Sequence, residues 1–335
     1  MKKRGTGIGC MWYGIGNTGL PNPAGAFVEV HGDGSVTVLV GCADIGQGSS
    51  TVMAQIVAEA IGVNYEDVYV TSADTGVTPD GGATSASRQT YISGNASYAA
   101  SKMARQTLDE VAAEVFGVKI SDIEIKNRIV FVKNDECKQM TFSDLMGELK
   151  KRGKMALGSG SFNPATTYLD PVDMHGIPFA CYAFATHVIE VEVDTDTGQV
   201  DVLKVVAAHD VGKAINKQMV EAQIEGGCAM GMGLGLLEEL EVANGKIKNP
   251  GFSKYLINTC MDMPEIYPII VENPTSSGPF GAKGVGEPAL IPVAPAILNA
   301  IYDAIGVRFT EIPVTPRKII EALSKEIKEK RNYNE

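Results

Sequence analysis

Glu287 stands in the stretch 278–290, GPFGAKGVGEPAL, where four glycines and two prolines dictate a loop. A carboxylate enclosed there beside a reaction centre is desolvated, and desolvation raises its proton affinity toward the range of a general base. The glycines on either side let a substrate or cofactor come within hydrogen-bond reach. The other reading is a solvent-facing glutamate in a surface loop. Helical periodicity starts only near Val293, too late for Glu287 to be its N-cap.

Three further motifs carry polar groups suited to a ligand. Gly46-Gln47-Gly48 lies between a predicted strand and a helix start, where close backbone approach and the helix dipole favour an anion. A plain tight turn reads the same way. Residues 84–90, Thr84-Ser85-Ala86-Ser87-Arg88-Gln89-Thr90, gather hydroxyls, an amide and a guanidinium ahead of another helix. They suit a phosphate clamped by Arg88, or an ordinary solvated cap. Gln223 precedes a run of small residues, QIEGG with MGMG, which also reads as glycine-packed helix contact. GIGNTG at 14–19 matches a dinucleotide fingerprint but has no strand before it and PNP after it, so a mobile glycine-rich loop is the better expectation.

The elements that must position these groups follow from turn chemistry and periodicity. AFVEVHGDGSVTVLVG predicts a hairpin through Asp33-Gly34, and STVMAQIVAEAIG a helix capped by Ser49 or Ser50 and closed at Gly62. Residues 92–116 predict a helix closed by Gly117, and 142–151 another, with a polar connector at 158–167. A second hairpin turns at 195–198 and leads through Asp-Val-Gly to a glycine-interrupted helix. It repeats the hairpin, Asp-Ile-Gly and helix order of the first half. The expected fold is therefore α+β, two related lobes of mixed sheet with helices. The lobes are 1–165 and 175–325, the second carrying Glu287, with a tail at 326–335. Residues 1–24 read as an irregular binding loop.

Bulk properties exclude several classes. A net charge of −11 argues against nucleic acid and anionic membrane as main partners. The apolar window 290–307 carries Pro292, Pro295 and Asp303, which argues against a membrane span. Six scattered cysteines without a CxxC pair, and four histidines without ligand spacing, leave no metal site made by the protein itself. Sparse thiols and no apolar leader predict a cytoplasmic protein.

Taken in order, GQG before a helix, the Thr/Ser segment before a second helix, DVG followed by QIEG and GLGLLEEL, and finally KGVGEP resemble the xanthine dehydrogenase family of molybdenum hydroxylases. The resemblance runs over residues 4–307 and covers the C-terminal half of that family's molybdenum-binding region. A free-standing half of this length is similar to the medium molybdopterin subunit of the nicotinate dehydrogenase branch.

The resemblance implies that Glu287 is the catalytic base for hydroxylation of an electron-poor ring carbon with oxygen from water. Nicotinate to 6-hydroxynicotinate is the expected conversion; the rival readings are a xanthine/purine dehydrogenase or aromatic-thioester reductase subunit of the same family, and a non-catalytic structural or maturation subunit. It assigns cofactor contacts to Gly46, Gln47, Gly48, Thr84, Ser85, Ala86, Ser87, Arg88, Gln89, Thr90, Gln223, Lys283, Gly284 and Gly286. The implied cofactor is molybdopterin with molybdenum, in the cytosine dinucleotide form, with labile selenium possible as a terminal ligand. FAD and two [2Fe-2S] clusters would sit on partner subunits, alongside a large molybdopterin subunit, and electrons would pass to a nicotinamide acceptor. The family's purine oxidisers place an aromatic ahead of the first hairpin. Here that place holds glycines, so Trp12 and Tyr13 become the candidates to stack on a small aromatic heterocycle.

Overall fold

The computed structural model describes residues 1–17 and 19–332. In chain order it runs β1 (Lys2–Gly14), β2 (Ala24–Val30), β3 (Val36–Val40), α1 (Ser49–Ile61), β4 (Val68–Ser72) and α2 (Gln89–Phe116). A small sheet of β5 (Ile123–Lys126), β6 (Ile129–Val132) and β7 (Asp135–Thr141) follows, then α3 (Phe142–Lys151) and β8 (Ala156–Phe162). The second half holds β9 (Tyr182–Asp194), β10 (Val200–Asp210), α4 (Lys217–Leu236), the short pair β11 (Val242–Ala243) and β12 (Lys246–Ile247), β13 (Glu265–Val271), α5 (Val293–Ile305) and α6 (Pro316–Asn332). The fold is α+β with several mixed sheets, as expected.

Two four-stranded sheets share one topology. In the order β8-β2-β3-β4, the hairpin β2–β3 takes β8 antiparallel on one side and β4 parallel on the other. In β1-β9-β10-β13, the hairpin β9–β10 takes β1 antiparallel and β13 parallel. The internal repeat suspected from the sequence is thus a repeat of strand order.

The strand that completes the second sheet is the first in the chain. Residues 1–14 were expected as loop within the first lobe. They form a 13-residue strand in the second. The reason lies in its alternation: Gly5, Gly7 and Gly9 all face α5. A Cβ added at these positions would lie 2.1–2.2 Å from the carbonyls of Ala300, Ala296 and Pro292. Helix and strand backbones touch, and no larger residue fits. The expected connector at 158–167 is strand in its first half, as far as Phe162. Gly158 and Gly160 of β8 would put a Cβ 1.9 and 2.2 Å from the carbonyls of Ala100 and Ala96 on α2. Each lobe therefore closes on a glycine-bearing edge strand laid against an alanine-rich helix.

Glycines at 227 and 231 serve the same purpose on α4, where a Cβ would press at 2.4 Å on Ala289 and Val293. The stretch Glu287–Ile305 has the length and composition of a membrane span, yet half of it is buried here, with α5 packed on β1, β9 and α4. The expected tail at 326–335 is the end of α6 as far as Asn332; residues 333–335 lie outside the described ones.

His187 and His209, on adjacent strands β9 and β10, are buried with their Nε2 atoms 2.6 Å apart. Their Nδ1 atoms have no hydrogen-bond partner among the described residues. Burial pushes both rings down from 6.5, His187 to about 3 with help from His209 and His209 to about 4. The unfolded chain takes up protons below its ordinary histidine range while the folded lobe does not. Stability is therefore full above about pH 6.5 and drains away as pH falls toward about 4, by on the order of a few kcal/mol. Thermal melts across this window should show that fall, and His209→Gln, which removes one ring, should make it shallower. Equal slopes would rule out the pair as its source.

Candidate active site

A cleft of about 280 Å³ lies where the start of α1, the turn before α2, the face of α4 and the loop before α5 converge. Glu287 lies at its lip, exposed, in a single 3-10 turn that leads into α5. Ala86 N–H donates to Glu287 Oε1 at 2.9 Å, and the Tyr13 hydroxyl donates to Oε2. Glu287 N–H in turn donates to Ser87 Oγ at 2.9 Å. The carboxylate is thus held from both sides, with its backbone tied to the same turn. Burial, then the Glu287 carboxylate, push the Tyr13 phenol upward, so it stays a protonated donor.

The turn that grips Glu287 is strained. Ala86 and Ser87 both adopt φ 51°, left-handed backbone that costs a side-chain-bearing residue of order 1–3 kcal/mol. Gly16 N–H holds it by donating to Ala86 O at 2.9 Å. Gly284 seats the opposing loop, since a Cβ there would lie 1.8 Å from Ser87 O. The 14–19 segment, expected to be mobile, is pinned through Ile15, Gly16 and Gly19, with Thr18 outside the described residues.

Several residues assigned to ligand contact are hydrogen-bonded within the fold. Arg88 is 1% exposed at the back of the cleft, with its guanidinium engaged by the protein itself. Its guanidinium donates to Asn22 Oδ1 (2.5 Å), Asn22 O (3.1 Å), Pro23 O (2.9 Å), Ala83 O (3.0 Å) and Gly81 O. No donor is left for a clamp.

Gly46 and Gly48 do not offer their N–H groups to an anion either. The Asp44 carboxylate accepts from Gly46, Gly48 and Ser50 N–H at 2.9, 3.2 and 3.0 Å. It thereby caps α1 in place of the expected Ser49 or Ser50. Gln47 lines the cleft, but its amide is folded onto Ala43 O, Ser49 Oγ and Ile45 N–H. Gln89 is buried and bonds to Ala83 O and Thr84 Oγ1. Lys283 is buried against Asp210 at 2.6 Å, which fixes the loop without reaching the cleft. Trp12, one residue before Tyr13, is on the opposite face of β1, 69% exposed and beside Tyr182.

What remains is a coherent lining. Thr84, Ser85, Ser87, Thr90, Gln223, Gly284, Gly286 and Glu287 border the cleft, with Val52, Met230, Val285 and Leu290 as its apolar part. The side chains of Ser85, Thr90 and Gln223 have no hydrogen-bond partner among the described residues. Among those residues no cluster of His, Cys, Asp or Glu could hold a metal ion. The framework residues Asp44, Asn22 and Asp210 escaped the sequence reading. Asp44 and Asp210 each had a signal, an Asp two residues before a glycine in a turn, whereas Asn22 had none.

Residues 1–264 match the family described as molybdopterin cofactor-binding domain. The chain belongs to that family. It is 33% identical over 328 residues to a putative xanthine dehydrogenase molybdenum-binding subunit of Escherichia coli (strain K12), covering 95% of this chain and 42% of the relative. It is 31% identical to the 6-hydroxypseudooxynicotine dehydrogenase complex subunit gamma of Paenarthrobacter nicotinovorans, covering 95% and 39%. The quinoline 2-oxidoreductase of Pseudomonas putida 86 superposes with a TM-score of 0.87 at 27% identity, over 96% of this chain and 42% of that one. This molybdopterin-binding chain thus spans about two fifths of the length of the curated relatives it matches. Its relatives are molybdenum-binding subunits of the xanthine dehydrogenase and aldehyde oxidoreductase kind.

Proposed function

We propose that this chain is the catalytic molybdopterin-binding subunit of a cytoplasmic, multi-subunit hydroxylase that places water-derived oxygen on an electron-poor ring carbon, nicotinate giving 6-hydroxynicotinate. The observation that carries this reading is the Glu287 carboxylate at the lip of the cleft, gripped by Ala86 N–H and the Tyr13 hydroxyl. The donor set fits a pterin cofactor. Hydroxyls at Ser85 and Thr90 and the Gln223 amide line the cleft uncommitted, beside small Gly284 and Gly286. When bound, the molybdenum cofactor supplies the two-electron oxidation; the cytosine dinucleotide form, with sulfur or labile selenium on the metal, is our assignment.

The chain's own residues handle the proton. Glu287 takes it from the water whose oxygen is transferred. Ala86 N–H and Tyr13 O–H fix the carboxylate's orientation, so little reorganisation accompanies the transfer. We also assign Tyr13, whose hydroxyl meets this carboxylate, to border the heterocycle. Support for a nitrogen heterocycle comes from the names of relatives, which include a 6-hydroxypseudooxynicotine dehydrogenase and a quinoline oxidoreductase. A large molybdopterin subunit, an FAD subunit and a subunit with two [2Fe-2S] clusters would complete the assembly and pass electrons to NAD(P).

The test is turnover by the complex isolated through this chain from its host, with nicotinate, xanthine and hypoxanthine offered in parallel. The expected result is near-stoichiometric molybdenum and 6-hydroxynicotinate as product, labelled when the water is labelled. Turnover of the purines alone would reassign the substrate, and a complex without molybdenum would overturn the catalytic reading.

A further inference from the structure

The groups around Glu287 fix one another's proton directions. Glu287 N–H can only donate, and it donates to Ser87 Oγ at 2.9 Å. The carboxylate accepts through Oε2 from the Tyr13 hydroxyl, which spends that hydroxyl's single proton and leaves its oxygen as an acceptor. Ser87 has the complementary remainder. One lone pair of Oγ takes the Glu287 amide, and its own proton is left to donate. Burial and then Glu287 hold the Tyr13 phenol protonated, and the Ser87 hydroxyl, hydrogen-bonded to the phenol, acts against them. A donor to the phenol oxygen has that effect.

The three bonds close a ring: Glu287 N–H to Ser87, Ser87 O–H to Tyr13, and Tyr13 O–H back to Glu287 Oε2. Hydrogen bonds linked head to tail polarise one another, so each donation strengthens the next. Ser87 joins the ring from backbone at φ 51°, a conformation that glycine adopts freely. The turn before α1 meets positive φ with glycine, at Gly46 (φ 106°) and Gly48 (φ 82°). A hydroxyl-bearing residue retained in such backbone, with the hydroxyl engaged on both sides, points to a role for the side chain.

We propose that Ser87 is a positioning residue for the base: its hydroxyl, bonded to the Glu287 amide and to Tyr13, fixes the direction from which the carboxylate meets a proton. The inference rests on the reading of Glu287 as the proton acceptor and deepens it. Ser87 acts through its two partners. Without the hydroxyl, the Glu287 amide loses its acceptor and Tyr13 becomes a weaker donor, so the carboxylate loosens at both ends.

Ser87→Gly removes the hydroxyl and relieves the backbone, so stability and catalysis should move in opposite directions. The variant should melt at or above the parent, since its φ no longer strains a side-chain-bearing residue. The complex isolated from the host is assayed with whichever of nicotinate, xanthine and hypoxanthine it turns over. There kcat should fall about tenfold, the worth of one or two neutral hydrogen bonds, with KM within about twofold of the parent. The Glu287 amide should exchange about tenfold faster, because its acceptor is gone. Placed on Tyr13→Phe, Ser87→Gly should lower kcat by no more than about threefold further, because the ring is already open. Ser87→Ala keeps Cβ and the backbone strain; it should match Ser87→Gly in kcat, and it decides the question should the glycine variant not fold. Parental kcat in the alanine variant overturns the proposal. So does unchanged exchange at the Glu287 amide, or a double variant whose loss is the product of the two single losses. Full activity in Glu287→Gln would sink the catalytic reading, while exchange at the Glu287 amide would still decide the ring.

Discussion

Glu287→Gln is expected to lower kcat by about 10²–10⁴, the usual contribution of a positioned proton acceptor, with molybdenum content and assembly unchanged. The substitution keeps the shape. The Gln carbonyl can still accept from Ala86 N–H at the 2.9 Å spacing, and the Tyr13 hydroxyl can rotate to accept from the new amide. Only the capacity to take a proton is lost. Tyr13→Phe removes one hydrogen bond to the carboxylate and should cost about 10–100-fold, the value of a charge-assisted bond of roughly 1.5–3 kcal/mol. Full activity in the glutamine variant would leave the chain a scaffold rather than a catalyst.

Arg88→Gln is expected to destabilise the chain itself, before any cofactor is considered. Five oxygens converge on the buried guanidinium: the Asn22 side chain and the carbonyls of Asn22, Pro23, Gly81 and Ala83. A shorter amide reaches few of them, and the remainder are stranded without partners. Breaking a buried charged network costs about 3–5 kcal/mol, which corresponds to a drop in Tm on the order of 10 °C. Hydrogen exchange should show the opening first around residues 22–25 and 80–90. A cofactor-free variant that melts with the parent would restore the phosphate-clamp reading of this arginine.

The two hairpins were legible because turn chemistry is local. Asp33-Gly34 and Thr195 to Gly198 specify reversals whatever surrounds them, and Gly62 and Gly117 end α1 and α2 in the left-handed conformation. Glu287 was legible for a related reason, as a lone carboxylate among residues that leave it room. β1 was not, because glycine has low strand propensity and offers no apolar face. Its glycines are inward-facing positions whose partner, α5, lies some 290 residues later in the sequence. The partners of Arg88 were not legible, because an arginine among hydroxyls looks the same whether its acceptors are phosphate or carbonyls brought in from residues 22–23. The sequence reading places residues in neighbourhoods, while the direction in which a side chain points depends on contacts made across the whole chain.

β1 lies far in sequence from both elements it packs on, β9 and α5. As the chain leaves the ribosome, β1 waits for β9, and its glycine ridge waits until Ile305 has emerged and α5 can wind. The first lobe, from β2 to β8, can close long before. Tyr13 rides on that waiting strand, so the phenol meets Glu287 only when residues 274 positions apart in the sequence have been stitched together.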